Sequence, residues 1–203
     1  MYIVFEWVVG TWKSTQSKLL HAFLQNKYPN KTVELLREPW GTHIAEAIRT
    51  LVQWTEFDES MHALTDAYLY AAARAQLLHQ KIAPILADGG IVISDRNVCS
   101  SLAYQWYTQG LWIDRVWSIN KEAVSTLLPD YILFMDLDVE VGLARTFDPE
   151  GDKRERKGVD FFTQVYAGYM SLFSFAPLQG LLHKIDASWS VQEVQKTISD
   201  LIL

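Results

Sequence analysis

The chain has 203 residues, enough for one domain with a full core and too few for several. With 49% hydrophobic and 21% charged residues it is composed as a soluble globular protein, and a net charge of −6 argues against a surface that coats nucleic acid. Its single cysteine, Cys99, excludes an internal disulfide and points to a reducing, cytoplasmic setting; no apolar run is long enough to span a membrane, and none reads as a signal peptide.

Residues 2–5 read as a buried strand. After Glu6 a short loop leads to Lys13-Ser14-Thr15, which opens an amphipathic helix with Leu19, Leu20, Phe23 and Leu24 on one face. Residues 32–37 form a second strand, closed by the turn Glu38-Pro39-Trp40-Gly41-Thr42, and a helix over 43–53 carries Arg49. A long helical stretch rich in Ala and Leu covers 59–87 and holds Arg74 and Gln76. Residues 90–94 are a buried strand that delivers Asp95-Arg96 at its end. Helices are predicted over about 100–105 and 113–127, then a strand over 130–134 ending at Asp136 and Asp138, and a helix over 139–146. The charged run 147–157 lies on the surface. A helix over 159–173, a strand over 181–185 and a helix over 190–202 complete the chain.

Strands that alternate with helices predict an α/β fold whose parallel sheet is covered on both faces. In such sheets ligands bind at the carboxyl ends of the strands. Glu6, Glu38 and Asp95-Arg96 all stand at such ends. The layout strand, loop, Lys-Ser, helix is that of a phosphate-binding loop, G-x-x-x-x-G-K-[ST]. There, backbone N–H groups and a helix N-terminus cradle phosphates, the lysine reaches the β/γ-phosphates and the hydroxyl holds Mg²⁺. Here the stretch reads Trp7-Val8-Val9-Gly10-Thr11-Trp12-Lys13-Ser14-Thr15, with tryptophan at both signature glycines. Glycine serves those places because the backbone takes φ > 0 and approaches the phosphates closely.

Each signal has a plainer reading. Lys13-Ser14-Thr15 alone is an ordinary helix start. Asp95-Arg96 is a structural ion pair or part of a site. Arg74 on an apolar helix must be paired if buried, by a ligand or by a protein carboxylate. The run from Lys153 to Lys157 is a solvated face or a lid that closes over phosphoryl charge. The five histidines show no metal-ligand spacing.

Along almost its whole length the chain resembles the thymidylate kinases. The matching pieces stand in the family's order: Phe5-Glu6, Lys13-Ser14-Thr15-Gln16, Arg37-Glu38-Pro39 with Gly41-Thr42, and Ala72-Ala73-Arg74-Ala75-Gln76. Asp95-Arg96, the segment from Ser100 to Gln105, Asp160-Phe161-Phe162 with Tyr169, and Ile185-Asp186-Ala187 follow. The resemblance implies a three-layer α/β/α P-loop kinase fold with a five-stranded parallel sheet. It implies one domain over 1–203, a lid at about 147–157, and a homodimer. It implies transfer of the γ-phosphoryl group of ATP to dTMP with Mg²⁺. Lys13 would then hold the β/γ-phosphates within a loop of residues 7–15, with Ser14 and Asp95 at the metal. Glu38 and Asp95 would face the acceptor phosphate, and Arg49 and Arg96 would bind it. Tyr70 would stack on thymine, Arg74 would bond the base, and Ser101 and Gln105 would line it. Lys153 stands where relatives with this lid carry a catalytic arginine, with Arg154 and Arg156 beside it. Val8-Val9 leaves no loop arginine, and Asn97 replaces the usual aromatic residue or histidine. A related kinase of deoxynucleosides or other nucleotides is the enzymatic alternative.

Eight tryptophans are many for this length. Trp117 sits in a helical pattern with Ile113 and Val124. Trp7, Trp12, Trp40, Trp54, Trp106, Trp112 and Trp189 sit in or beside turns, which favour Gly, Asn, Asp, Ser and Pro. Against the family pattern, Trp7, Trp12, Trp40 and Trp106 fall at glycine positions. One residue type at another's sites points to one cause: a codon read here as tryptophan that the source decodes as glycine. UGA is known to be reassigned, and ordinary UGG codons at the seven positions would exclude this account. If the tryptophans stand, Trp12 fills the phosphate cavity and the chain is a catalytically dead relative with a binding or scaffold role.

Overall fold

The computed structural model describes residues 1–53, 58–124, 127–146 and 158–203. Its centre is β1 (Tyr2–Trp7), buried at every residue, as a strand covered on both faces must be. β2 (Val33–Arg37), β3 (Ile91–Asp95), β4 (Tyr131–Asp136) and β5 (Leu182–Asp186) join it in one sheet of order β2-β3-β1-β4-β5. Every pairing is parallel. The register sets Phe5 and Arg37 level with Asp95, so the polar strand ends reach one edge together.

Side chains alternate along β1. Tyr2 and Val4 join a core with Val92, Leu77, Leu102, Phe134 and Tyr169; Ile3, Phe5 and Trp7 join a second with Leu20, Leu24, Ile93, Ile185 and Ile198. α1 (Lys13–Lys27) and α9 (Val191–Ile202) cover the second face. α3 (Ala63–Leu77), packed with α2 (His43–Gln53), covers the first, as do α6 (Ile113–Val124) and α8 (Gly158–Leu172). α9 opens with a reciprocal cap: Ser190 Oγ accepts from Glu193 N, and the Glu193 carboxylate accepts from Ser190 N.

Two predicted helices differ in form. The stretch predicted over 59–87 begins at Ala63, where His62 Nδ1 accepts from Leu64 N at 3.2 Å. It widens into a π turn at Leu78–Ile82 before α4 (Ala83–Ala87). Pro84 lacks an N–H and its ring crowds the turn before it, which favours that widening. The helix predicted over 100–105 is α5 (Val98–Ser101) followed by a π segment, Leu102–Thr108. Trp106 therefore sits in helical backbone, not in a turn. α7 (Val139–Thr146) matches its predicted span. Trp54 and the lid segment 147–157 lie outside the described residues.

Candidate active site

The loop between β1 and α1 turns twice through left-handed backbone. At Gly10, φ is +64° and a Cβ would lie 2.1 Å from the Gly142 carbonyl oxygen, so only glycine lets the loop seat on α7. The second place is Trp12, with φ 55° and ψ 21°. Its carbonyl accepts from Thr15 N and Gln16 N at 2.9 and 3.0 Å, starting α1. A bulky residue in this conformation costs about 1–2 kcal/mol. Among the described residues the other non-glycine with positive φ is Arg96, at 76°.

Arg96 is held where it is strained. Its N donates to Phe5 O at 2.9 Å, and Ser94 Oγ donates to its carbonyl at 2.9 Å. Its Nη1 reaches Ser100 Oγ at 2.9 Å and Tyr169 OH at 3.2 Å. Below it Glu6, fully buried on the central strand, accepts from Asn97 N (2.8 Å), Ser100 N (3.1 Å), Ser100 Oγ (2.8 Å) and Tyr169 OH (2.7 Å). Burial raises its pKa, and Arg96 opposes that rise.

Lys13, at the start of α1, meets Asp95 Oδ2 at 2.8 Å, and Arg37 Nε stands 3.6 Å from the same oxygen. Burial pulls the Lys13 ammonium down to about 7, against the attraction of Asp95. Three indoles crowd these cations. Lys13 Nζ and Arg96 Cζ lie 3.5 and 3.8 Å from the Trp7 ring centre. Arg37 and Arg49 lie 3.9 and 3.8 Å from that of Trp40, and Arg145 lies 5.8 Å from that of Trp12.

Deeper in, Arg74 is enclosed by acceptors. Nε donates to Glu38 Oε2 at 2.8 Å, Nη2 to Asn97 O at 3.0 Å and to Ser101 Oγ at 3.1 Å, and Nη1 to Asn120 Oδ1. The alternative in which a protein carboxylate pairs this arginine therefore holds, and four of its five N–H groups are engaged. Burial pushes Glu38 up to about 7 despite Arg74, with Glu6 adding to the rise. Gln105 Nε2 donates to Asp66 at 2.9 Å, while Gln105 Oε1 and Glu38 Oε1 are buried without partners.

A cleft of about 410 Å³ joins these parts. Its wall brings together loop residues 7–15, Glu38, Tyr70, Arg74, Arg96, Ser101 and Gln105, all named from sequence. Asp95 reaches it through Lys13, and Arg49 through Trp40. Lys153, Arg154 and Arg156 lie outside the described residues. Sequence reading missed Arg145 and Tyr104 on the wall, and Asn120 behind Arg74. An arginine in the last turn before a charged run was the available signal for Arg145; Asn120 left none.

The described residues hold no cluster of three or more His, Cys, Asp or Glu able to bind a metal. Mg²⁺ needs fewer protein ligands, since one or two carboxylates suffice beside substrate phosphates. Asp95 Oδ1, buried without a partner near the start of α1, fits such an ion.

A parallel five-stranded sheet between helical layers, with a Lys-Ser loop leading off its central strand, defines a P-loop kinase fold. A family model described as thymidylate kinase matches residues 5–198. A thymidylate kinase of Desulforudis audaxviator is 43% identical over 177 residues, 87% of this chain and 79% of the relative. One from Symbiobacterium thermophilum is 39% identical over 202 residues, 100% of this chain and 92% of the relative. The crystal structure of thymidylate kinase from Ehrlichia chaffeensis matches with a TM-score of 0.78 at 26% identity, covering 100% of this chain and 98% of that one. The chain belongs to the thymidylate kinase family.

Proposed function

We propose that the protein phosphorylates dTMP to dTDP with ATP as donor and Mg²⁺ as the metal, as a cytoplasmic homodimer of single-domain subunits. Membership of the thymidylate kinase family carries this reading. Phosphoryl transfer needs two anions held in line and their charge neutralised, rather than a covalent residue. The pair Lys13–Asp95 beside Arg96 supplies that chemistry in a chain of net charge −6.

In this scheme Lys13 and the first turn of α1 hold the donor phosphates. Arg96 and Arg49 hold the acceptor phosphate, with Glu38 and Asp95 facing it. Bound Mg²⁺, taken by Ser14 and Asp95, would neutralise charge on the donor phosphates. Tyr70 stacks on the base, and Arg74, Ser101 and Gln105 select it. Lys153 and Arg154 of the lid bring the last positive charge. The loop role requires glycine at positions 7 and 12.

Phosphorylation of a panel of dTMP, dUMP, dCMP and thymidine tests the reading. Preference for dTMP is expected, and turnover of thymidine alone would overturn it. Lys13→Met should lower kcat about 10²–10³-fold while leaving the circular dichroism spectrum unchanged.

A further inference from the structure

Behind the cleft wall, Asp66 of α3 holds Gln105 of the π segment Leu102–Thr108. Asp66 stands in the first turn of α3. A carboxylate at a helix start is ordinary, because the helix dipole favours negative charge there. An ordinary one faces water, however, and this one is 8% exposed and set against two amides. Its Oδ2 accepts from Gln105 Nε2 at 2.9 Å and from Gln109 Nε2 at 3.1 Å. The two glutamines stand one turn apart, so both reach the same oxygen.

That contact fixes which way the Gln105 amide faces. An ionised carboxylate only accepts, whereas an amide has a donor end and an acceptor end. Turned over, Gln105 would set Oε1 against Asp66 Oδ2 with no proton between them. The amide is therefore held with Nε2 on Asp66 and Oε1 pointing away from it. Gln105 belongs to the cleft wall and Asp66 does not, and Gln105 Oε1 is buried without a partner. A buried acceptor left over at the wall of a cleft suits a ligand that brings an N–H. Ring nitrogen N3 of thymine or uracil bears a hydrogen; that of cytosine is bare and accepts.

We propose that Asp66 is a positioning residue for base selection. By accepting from Gln105 Nε2 it holds Gln105 Oε1 toward the cleft, so that the site takes a base edge with a ring N–H and rejects one with a bare ring nitrogen. That the ligand is a pyrimidine nucleotide rests on the kinase reading; the orientation of Gln105 does not. Asp66 acts through Gln105 alone.

Calorimetric titration with dTMP and with 5-methyl-dCMP tests this, because the two share sugar, phosphate and methyl group and differ only along the base edge. The unaltered chain should bind dTMP about 10–100-fold more tightly, and equal affinity overturns the proposal. Asp66→Asn keeps the shape of the side chain but can donate as well as accept, which frees the Gln105 amide to turn. The affinity ratio should then narrow by about 5–10-fold with the circular dichroism spectrum unchanged, an effect that a purely structural carboxylate would not produce. A ratio kept at its original value overturns the proposal. In a Gln105→Leu chain the same Asp66 change should leave the ratio where it is; further narrowing there overturns action through Gln105. If Asp66→Asn does not fold, Gln105→Leu alone decides: it should lose most of the discrimination, and an unchanged ratio overturns the proposal. A chain that discriminates as expected yet leaves dTMP unphosphorylated defeats the kinase reading and leaves this proposal standing. Phosphorylation of dTMP with no effect of Asp66→Asn on the ratio defeats the proposal alone.

Discussion

The two ends of the cleft are built in opposite ways. At the inner end, Arg74 finds a carboxylate, two side-chain oxygens and a carbonyl, drawn from Glu38, the α5 segment and α6. At the loop end, Lys13, Arg37, Arg49 and Arg96 lie against indoles. The first end satisfies Arg74 within the chain but leaves Glu38 Oε1 and Gln105 Oε1 buried without partners. At the second, Lys13 and Arg37 share Asp95 Oδ2, and Arg49 Nε is buried without a partner. Buried polar groups left over within a folded chain mark where a ligand contributes.

Breaking the Arg74 network should cost most. Arg74→Met leaves Glu38 buried without its counter-charge, and a loss of about 3–5 kcal/mol in urea unfolding is expected. The loss should grow from pH 5 to pH 8, because Glu38 without its partner resists ionisation more strongly. Tyr169→Phe removes a 2.7 Å bond to buried Glu6 and should cost about 2 kcal/mol. At the loop end the sign reverses. Trp12→Gly relieves left-handed strain and should change stability by about +0.5–1 kcal/mol, the unfolded chain's extra freedom cancelling the rest.

Stability should also depend on pH. Glu38, raised to about 7, contributes stability that is present below its unfolded value and lost as pH climbs through 7. Lys13, lowered to about 7, contributes stability that is present above its unfolded value and lost as pH falls through 7. The two limbs meet in a minimum near pH 7. Unfolding free energies from pH 5 to 10 should lose the lower limb in Glu38→Gln and the upper limb in Lys13→Met. Nucleotide binding near pH 7.5 should take up protons, since phosphate restores the Lys13 charge. Calorimetry in buffers of different ionisation enthalpy reads that uptake, and its absence would remove Lys13 from the phosphate contact.

Much of this frame is legible in the sequence, for definite reasons. The apolar run of β1, the Lys-Ser helix start and the Asp95-Arg96 strand end are local patterns whose spacing fixes period and position. The partners of Arg74 are not local. Glu38 and Asn120 lie 36 and 46 positions away, and no periodicity connects them. The π turns at Leu78–Ile82 and Leu102–Thr108 depend on packing, so a helical pattern alone reads straight through them. The tryptophans were legible as misfits, but only the folded site separates those that cover cations from those that merely face water, such as Trp112, 80% exposed.

Glu6 sits on the innermost strand, yet it fastens two separate helical elements. Through Asn97 and Ser100 it grips the start of α5, and through Tyr169 it grips α8. Tyr169 also touches Arg96, and the chain enters α8 directly from the charged segment 147–157. α8, α5 and the Arg96 guanidinium therefore share one hydrogen-bonded bracket whose centre is a carboxylate on the central strand. A change at any one of them is a change in the surroundings of the other two.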